Sequence, residues 1–266
     1  MLLLGSLALA AAACSGVLAA APFDGGFHAQ PRYGFPALQY RYEALEPHMP
    51  AESLRVHHVG HHKAYTDKLN KVLGEWADED AQAARKYSVV EMLTDLEGTV
   101  PDAYREDVRR FGGGYFNHAL YFYGMSPLRG VRTTREPAGE IAKYMGAVWR
   151  DLDAFKTEFT DAAMSVFGSG YVWLVVDGAT GRMAVRTNMG QDSPLGTGEW
   201  PVLCLDMWEH AYYLRYLYRK KTAIDAWWPL VDWENADKVL LHWVAEGLVV
   251  SSDTEAAAPA GEHEDL

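Results

Sequence analysis

The chain has 266 residues, 49% of them apolar and 12% aromatic, which excludes a natively disordered protein and allows one large or two small packed domains. A formal charge of −12 excludes general phosphate binding, so nucleic acid is not an expected partner. Of two cysteines, Cys14 lies in the first apolar run, leaving Cys204 without an intramolecular disulfide partner once that run is removed.

Residues 1–21 are a Leu- and Ala-rich run ending in Ala19, Ala20 and Ala21. It reads as a secretory signal peptide, and therefore as a secreted or extracellular protein. No Lys or Arg precedes the run, and its length also accommodates an uncleaved membrane anchor. An organellar destination is the other alternative, although the first Arg is Arg32 and transit peptides are usually Arg-rich. Residues 22–34, rich in Gly, Pro and aromatics, read as a linker. A domain of residues 35–126 follows. In it Ala51 to Trp76 repeats apolar or His positions every three or four residues, with Pro50 opposing any backward extension of the helix. A second helical stripe runs from about Tyr104 to Tyr123, and the two helices predict an antiparallel hairpin.

Ser126 to Pro137 reads as a hinge. The second domain, residues 137–248, opens with a helical pattern from Ile141 to Phe167. Short β-type runs at Tyr171–Val176 and Met183–Thr187 flank a glycine-bearing turn, and Pro201–Leu205 adds a third. Tyr212 to Gly247 is again helical in pattern. The fold class expected is α+β: a helical hairpin domain, then an α/β domain with a small antiparallel sheet of about three strands flanked by helices. Residues 249–266, mostly Ala, Pro, Gly and acids, read as a disordered acidic tail.

Four histidines, His57, His58, His61 and His62, fall in one helical turn and a little more. Residues four apart share a face, so His57 pairs with His61 and His58 with His62. Leu54 and Tyr65 favour the His57/His61 face as the inward one, leaving the other pair for the surface. Asp206 and His210 follow a buried-strand pattern and offer an oxygen and a nitrogen donor. With two more imidazoles they would form a first-row metal shell, and without them a buried salt bridge beside core histidines. These residues alone leave both readings open.

The stretches Phe35-Pro36-Ala37-Leu38-Gln39-Tyr40, HHxxHHxxY at His57 to Tyr65, Asn117-His118, FGSG at Phe167 to Gly170, QDSPL at Gln191 to Leu195 and DxWEHAYYL at Asp206 to Leu214 occur in one order along the chain. In that order they resemble the manganese/iron superoxide dismutase family over residues 35 to about 247. The resemblance implies one manganese ion per chain, or alternatively iron, held by His57, His118, Asp206 and His210, with superoxide as substrate. It implies that Gln191 hydrogen-bonds solvent at the metal, the manganese-type arrangement; iron-type members typically place this glutamine four residues before the second ligand, here Gly114. His61 and Tyr65 match the pair that lines the substrate channel and relays protons. Trp173, Trp208, Phe122 and Tyr171 match aromatic positions around the ion, the last two often Trp elsewhere, and Tyr115 stands where manganese-type members often carry His. Glu209 and Tyr213 match residues that cross a dimer interface, so a homodimer or tetramer is expected. A structural subunit retaining this fold, and a metal-buffering protein, are the competing readings.

Overall fold

Pro50 cannot continue a helix backwards, and the first helix, α1, spans Ala51–Arg55. It runs without a break into a π-helical segment, Val56–His62, and then into α2, Lys63–Glu79. The computed structural model describes residues 21–128 and 136–251, so the signal or anchor reading, most of the acidic tail and the middle of the hinge lie outside the described residues. Leu69, Val72, Leu73 and Trp76 are buried along one stripe of α2, each burial contributing roughly 1.5–3 kcal/mol.

After α2, Asp80 accepts hydrogen bonds from the backbone N–H groups of Gln82 and Ala83 at 3.1 and 3.0 Å, turning the chain. Two short helices not expected from the sequence follow, α3 (Val89–Thr94) and α4 (Leu96–Thr99). A reciprocal Ser88–Glu91 cap starts α3. The helix α5, Asp102–Tyr123, packs along α2. The two run antiparallel: Trp76 near the end of α2 stacks on Tyr104 near the start of α5, while His57 before α2 meets Phe122 at the far end of α5.

The expected single helix of residues 141–167 is two, α6 (Glu140–Gly146) and α7 (Leu152–Ser165). The break arises because Asp151 caps α7, accepting from the Ala154 N–H at 2.8 Å. Strands β1 (Gly170–Asp177), β2 (Met183–Met189) and β3 (Glu199–Asp206) form an antiparallel sheet in the order β2-β1-β3. The central strand β1 is apolar on both faces because both are covered, whereas edge strand β2 is only partly covered. The helical stretch after the sheet is also divided, into α8 (Glu209–Tyr216), α9 (Lys220–Trp227) and α10 (Trp233–Ala245). Pro229 sits in the tight turn before α10, and Asp232 caps that helix.

Two sequence expectations at the edges of the fold are revised. Residues 22–34 are not a free linker: Phe23 stacks on Tyr123 at 5.0 Å, Tyr33 is buried, and the Tyr33 backbone exchanges two hydrogen bonds with the Asn70 side chain. The start of the expected tail is also packed, since Val249 is buried and the Tyr144 hydroxyl donates to the Val250 carbonyl at 2.6 Å.

Candidate metal centre

Two donors come from the hairpin and two from the sheet domain. His57 lies in the π-helical segment and His118 on α5. Asp206 ends β3, and His210 stands one helical turn later, at the start of α8. One donor atom from each of the four lies within 4.8 Å of the others. Asp206 Oδ2 is 3.1 Å from His57 Nε2, 3.4 Å from His210 Nε2 and 3.9 Å from His118 Nε2. Two donors each about 2.1 Å from a common ion lie about 3–4.2 Å apart, so the three separations from Asp206 fit.

The donor set also fits chemically. Asp206 Oδ2 and the Nε2 atoms of His57, His118 and His210 are buried without a hydrogen-bond partner, an arrangement that costs stability unless something bridges them. Their other atoms are held elsewhere where it matters for aim. His118 Nδ1 donates to the Gly114 carbonyl at 2.7 Å, and Asp206 Oδ1 accepts from the Trp208 N–H at 2.8 Å. Burial pushes the His57 imidazole down to about 4, against the pull of Asp206, and drives His118 well below the ordinary range. Both rings are therefore neutral at neutral pH, the form that binds metal. Burial alone would raise the Asp206 carboxyl, but His210 and His57 hold it far below the usual carboxylate range.

Beside the donors, Gln191 joins two phenols. The Tyr171 hydroxyl donates to Gln191 Oε1 at 3.2 Å, and Gln191 Nε2 donates to the Tyr65 hydroxyl at 3.2 Å. The loop that carries Gln191 is fixed on several sides: Asn117 Nδ2 donates to the carbonyls of Gln191 and Asp192, Trp208 Nε1 donates to the Gly190 carbonyl at 3.0 Å, and Arg109 pairs with Asp192. Tyr65 and His61 are partly exposed, with His61 stacked on His210 at 3.8 Å.

Phe122 packs against His57 at 5.0 Å, and Tyr171 lies 5.4 Å from Trp173, which is fully buried. Tyr115 points away from the donors and donates to Asp24 at 3.2 Å. Glu209 and Tyr213 are exposed on α8. One expectation is overturned: His58 and His62 are not a surface pair but are buried like His57. The π-helical segment carries more residues per turn than an α-helix, so one side accommodates more of the four imidazoles. Sequence reasoning assigned no role to Asn117, Arg109 or Asp192. The Asn beside a ligand His was the available signal for the first; nothing local pointed to the ion pair.

A mononuclear first-row metalloprotein whose site is shared between a helical hairpin and a small α/β domain is the class this geometry defines. Comparison with known families narrows it. The profile for iron/manganese superoxide dismutases, alpha-hairpin domain, matches residues 32–126, and that for the C-terminal domain of the same enzymes matches residues 137–239. Proteins named Superoxide dismutase (Mn/Fe) 2 from Staphylococcus aureus strains bovine RF122 and Mu50 are each 37% identical over 207 residues, covering 78% of this chain and 96% of theirs. The chain belongs to the iron/manganese superoxide dismutase family.

Proposed function

We propose that this chain is a superoxide dismutase that converts superoxide to oxygen and hydrogen peroxide, with manganese or iron held by His57, His118, Asp206 and His210. The observation that carries the reading is the convergence of four buried, otherwise unbonded donor atoms. When bound, the ion supplies one-electron redox chemistry, and three neutral imidazoles with one carboxylate leave the site positive enough to attract a small anion. The residues around it manage protons and access. Gln191, held between Tyr171 and Tyr65, presents its amide beside the donors, and the Tyr65 hydroxyl and His61 form the partly exposed end of the path to solvent.

Manganese is the reading favoured here. The glutamine comes from residue 191, and position 114, its alternative origin, is closed: a Cβ there would lie 2.3 Å from the Tyr65 ring. The exposure of Glu209 and Tyr213 on the helix that carries His210 supports a symmetric dimer in which these side chains meet the partner near the metal. Secretion by way of the N-terminal apolar run belongs to the same proposal.

The test is purification followed by elemental analysis and a superoxide-consumption assay. About one manganese or iron per chain, and superoxide removal that disappears in His118→Ala, are expected from the single donor set. Full activity in His118→Ala would overturn the assignment.

A further inference from the structure

Residues 21–31 precede the family match, which begins at residue 32, yet they are built into the fold. Phe23 packs on Phe116 and Tyr123 of α5, at 6.1 and 5.0 Å. Phe27 packs on Phe116 at 6.2 Å and also crosses to α10, meeting His242 at 4.7 Å and Trp243 at 5.3 Å. Between them, Asp24 accepts from the Tyr115 hydroxyl, and the Gly26 carbonyl accepts from the Val90 N–H at 3.1 Å. Gly26 adopts a φ of +83°, and a Cβ there would meet the Val89 side chain at 2.6 Å, so this close crossing requires glycine.

The contacts of Phe27 lead to opposite halves of the donor set. Phe116 lies two residues before His118. Trp243 donates to the Pro201 carbonyl at 2.8 Å and packs on Trp200 at 5.0 Å, both on β3, the strand that ends in Asp206. The strap thus ties the hairpin, which supplies His57 and His118, to the sheet domain, which supplies Asp206 and His210. Four donors divided between two domains can hold one ion together only while the domains stay joined.

We propose that residues 21–31 are a latch that sets the rate of metal exchange: Phe27, buttressed on the hairpin by Phe23 at 5.0 Å, must leave its seat on His242 and Trp243 before the two halves of the site separate. This rests on the metal-centre reading above. Aromatic burial is lost on the way to the open state, so each ring removed speeds release. The latch acts on escape of the ion and leaves its coordination unchanged.

The experiment uses the full-length, metal-loaded protein challenged with excess chelator below its unfolding temperature, with metal release followed in time. Phe23→Ala and Phe27→Ala are each expected to release the ion about tenfold faster, with activity per bound ion unchanged. Phe27→Leu, which keeps most of the bulk, should release close to the parent rate. The control is Phe159→Ala, a buried ring packed against Trp227 and Trp228 inside the sheet domain. It should lower the unfolding temperature without matching acceleration. Parent-like release from both strap variants, or equal acceleration by Phe159→Ala, would overturn the latch. A parent protein that takes up neither manganese nor iron would instead sink the metal-centre reading.

Discussion

The Tyr65 ring occupies the space that a side chain at Gly114 would need: a Cβ built there falls 2.3 Å from Cδ1 of the ring. The same glycine offers its carbonyl to His118 Nδ1. One residue therefore orients His118 through its backbone and seats the Tyr65 phenol through its lack of a side chain.

Gly114→Ala should displace Tyr65 and break its hydrogen bond with Gln191. Overpacking costs about 1–3 kcal/mol, partly offset by about 1 kcal/mol of improved helix propensity. The expected outcome is a modest fall in stability by denaturant unfolding, a clear fall in superoxide turnover and metal content near the parent level. Parent-like turnover would show that the phenol needs no such seat.

Asp206→Asn keeps the shape of the donor cage and removes its only anion. Metal affinity should fall by more than the roughly 10–100-fold typical of changes to groups behind the ligands. Competition with a chelator of known affinity measures this, and an unchanged affinity would exclude Asp206 as a ligand.

Gln191→Ala separates metal binding from catalysis. Gln191 touches Tyr65 and Tyr171 but is not one of the four donors, so metal should be retained while turnover drops roughly 10–100-fold. Tyr171→Phe removes one hydrogen bond to the same amide and should cost less, roughly 2–10-fold. Turnover of both variants per bound ion is the measurement, and a reversed order would contradict the chain of contacts.

The metal-free protein should lose stability on acidification between about pH 6.5 and about pH 4. Burial holds the folded His57 imidazole near 4, whereas the unfolded ring takes its proton near 6.5. Over that interval the unfolded state binds more protons, so stability falls as pH falls, by on the order of 3 kcal/mol from His57 alone. His118 and His62, also driven well down by burial, act in the same direction. Urea unfolding across this interval, metal-free and metal-loaded, tests it; a flat metal-free profile would show that these rings are not buried neutral.

Much of the architecture was legible because the signals were periodic or local. The stripe Leu69, Val72, Trp76 marks α2 without reference to anything distant, and the glycine-bearing turn after Asp177 marks the β1–β2 hairpin. The donor set was legible only through the order of its motifs, because nothing local distinguishes His118 from a core histidine. What escaped notice depended on distant partners. The aromatics Phe23, Phe27 and Tyr33 sit among glycines and prolines with no period, and their seats on α5 and α10 are set by tertiary packing. The inward turn of His58 and His62 escaped for another reason: an i, i+4 argument presumes an α-helix, and this stretch is not one.

The widened stretch from Val56 to His62 behaves like a spare residue stored inside a helix. Gly60 is exposed there, and a Cβ added to it would meet nothing closer than 4.0 Å, so this is where the spare could be removed. Excising it would return the run to ordinary winding and leave the residues downstream close to their present phase, because an extra residue absorbed as a wide turn spares the flanking helix the rotation of about 100° it would otherwise impose. Tyr65 would keep its place beside Gln191, and the change would fall on the inward set of His58 and His62.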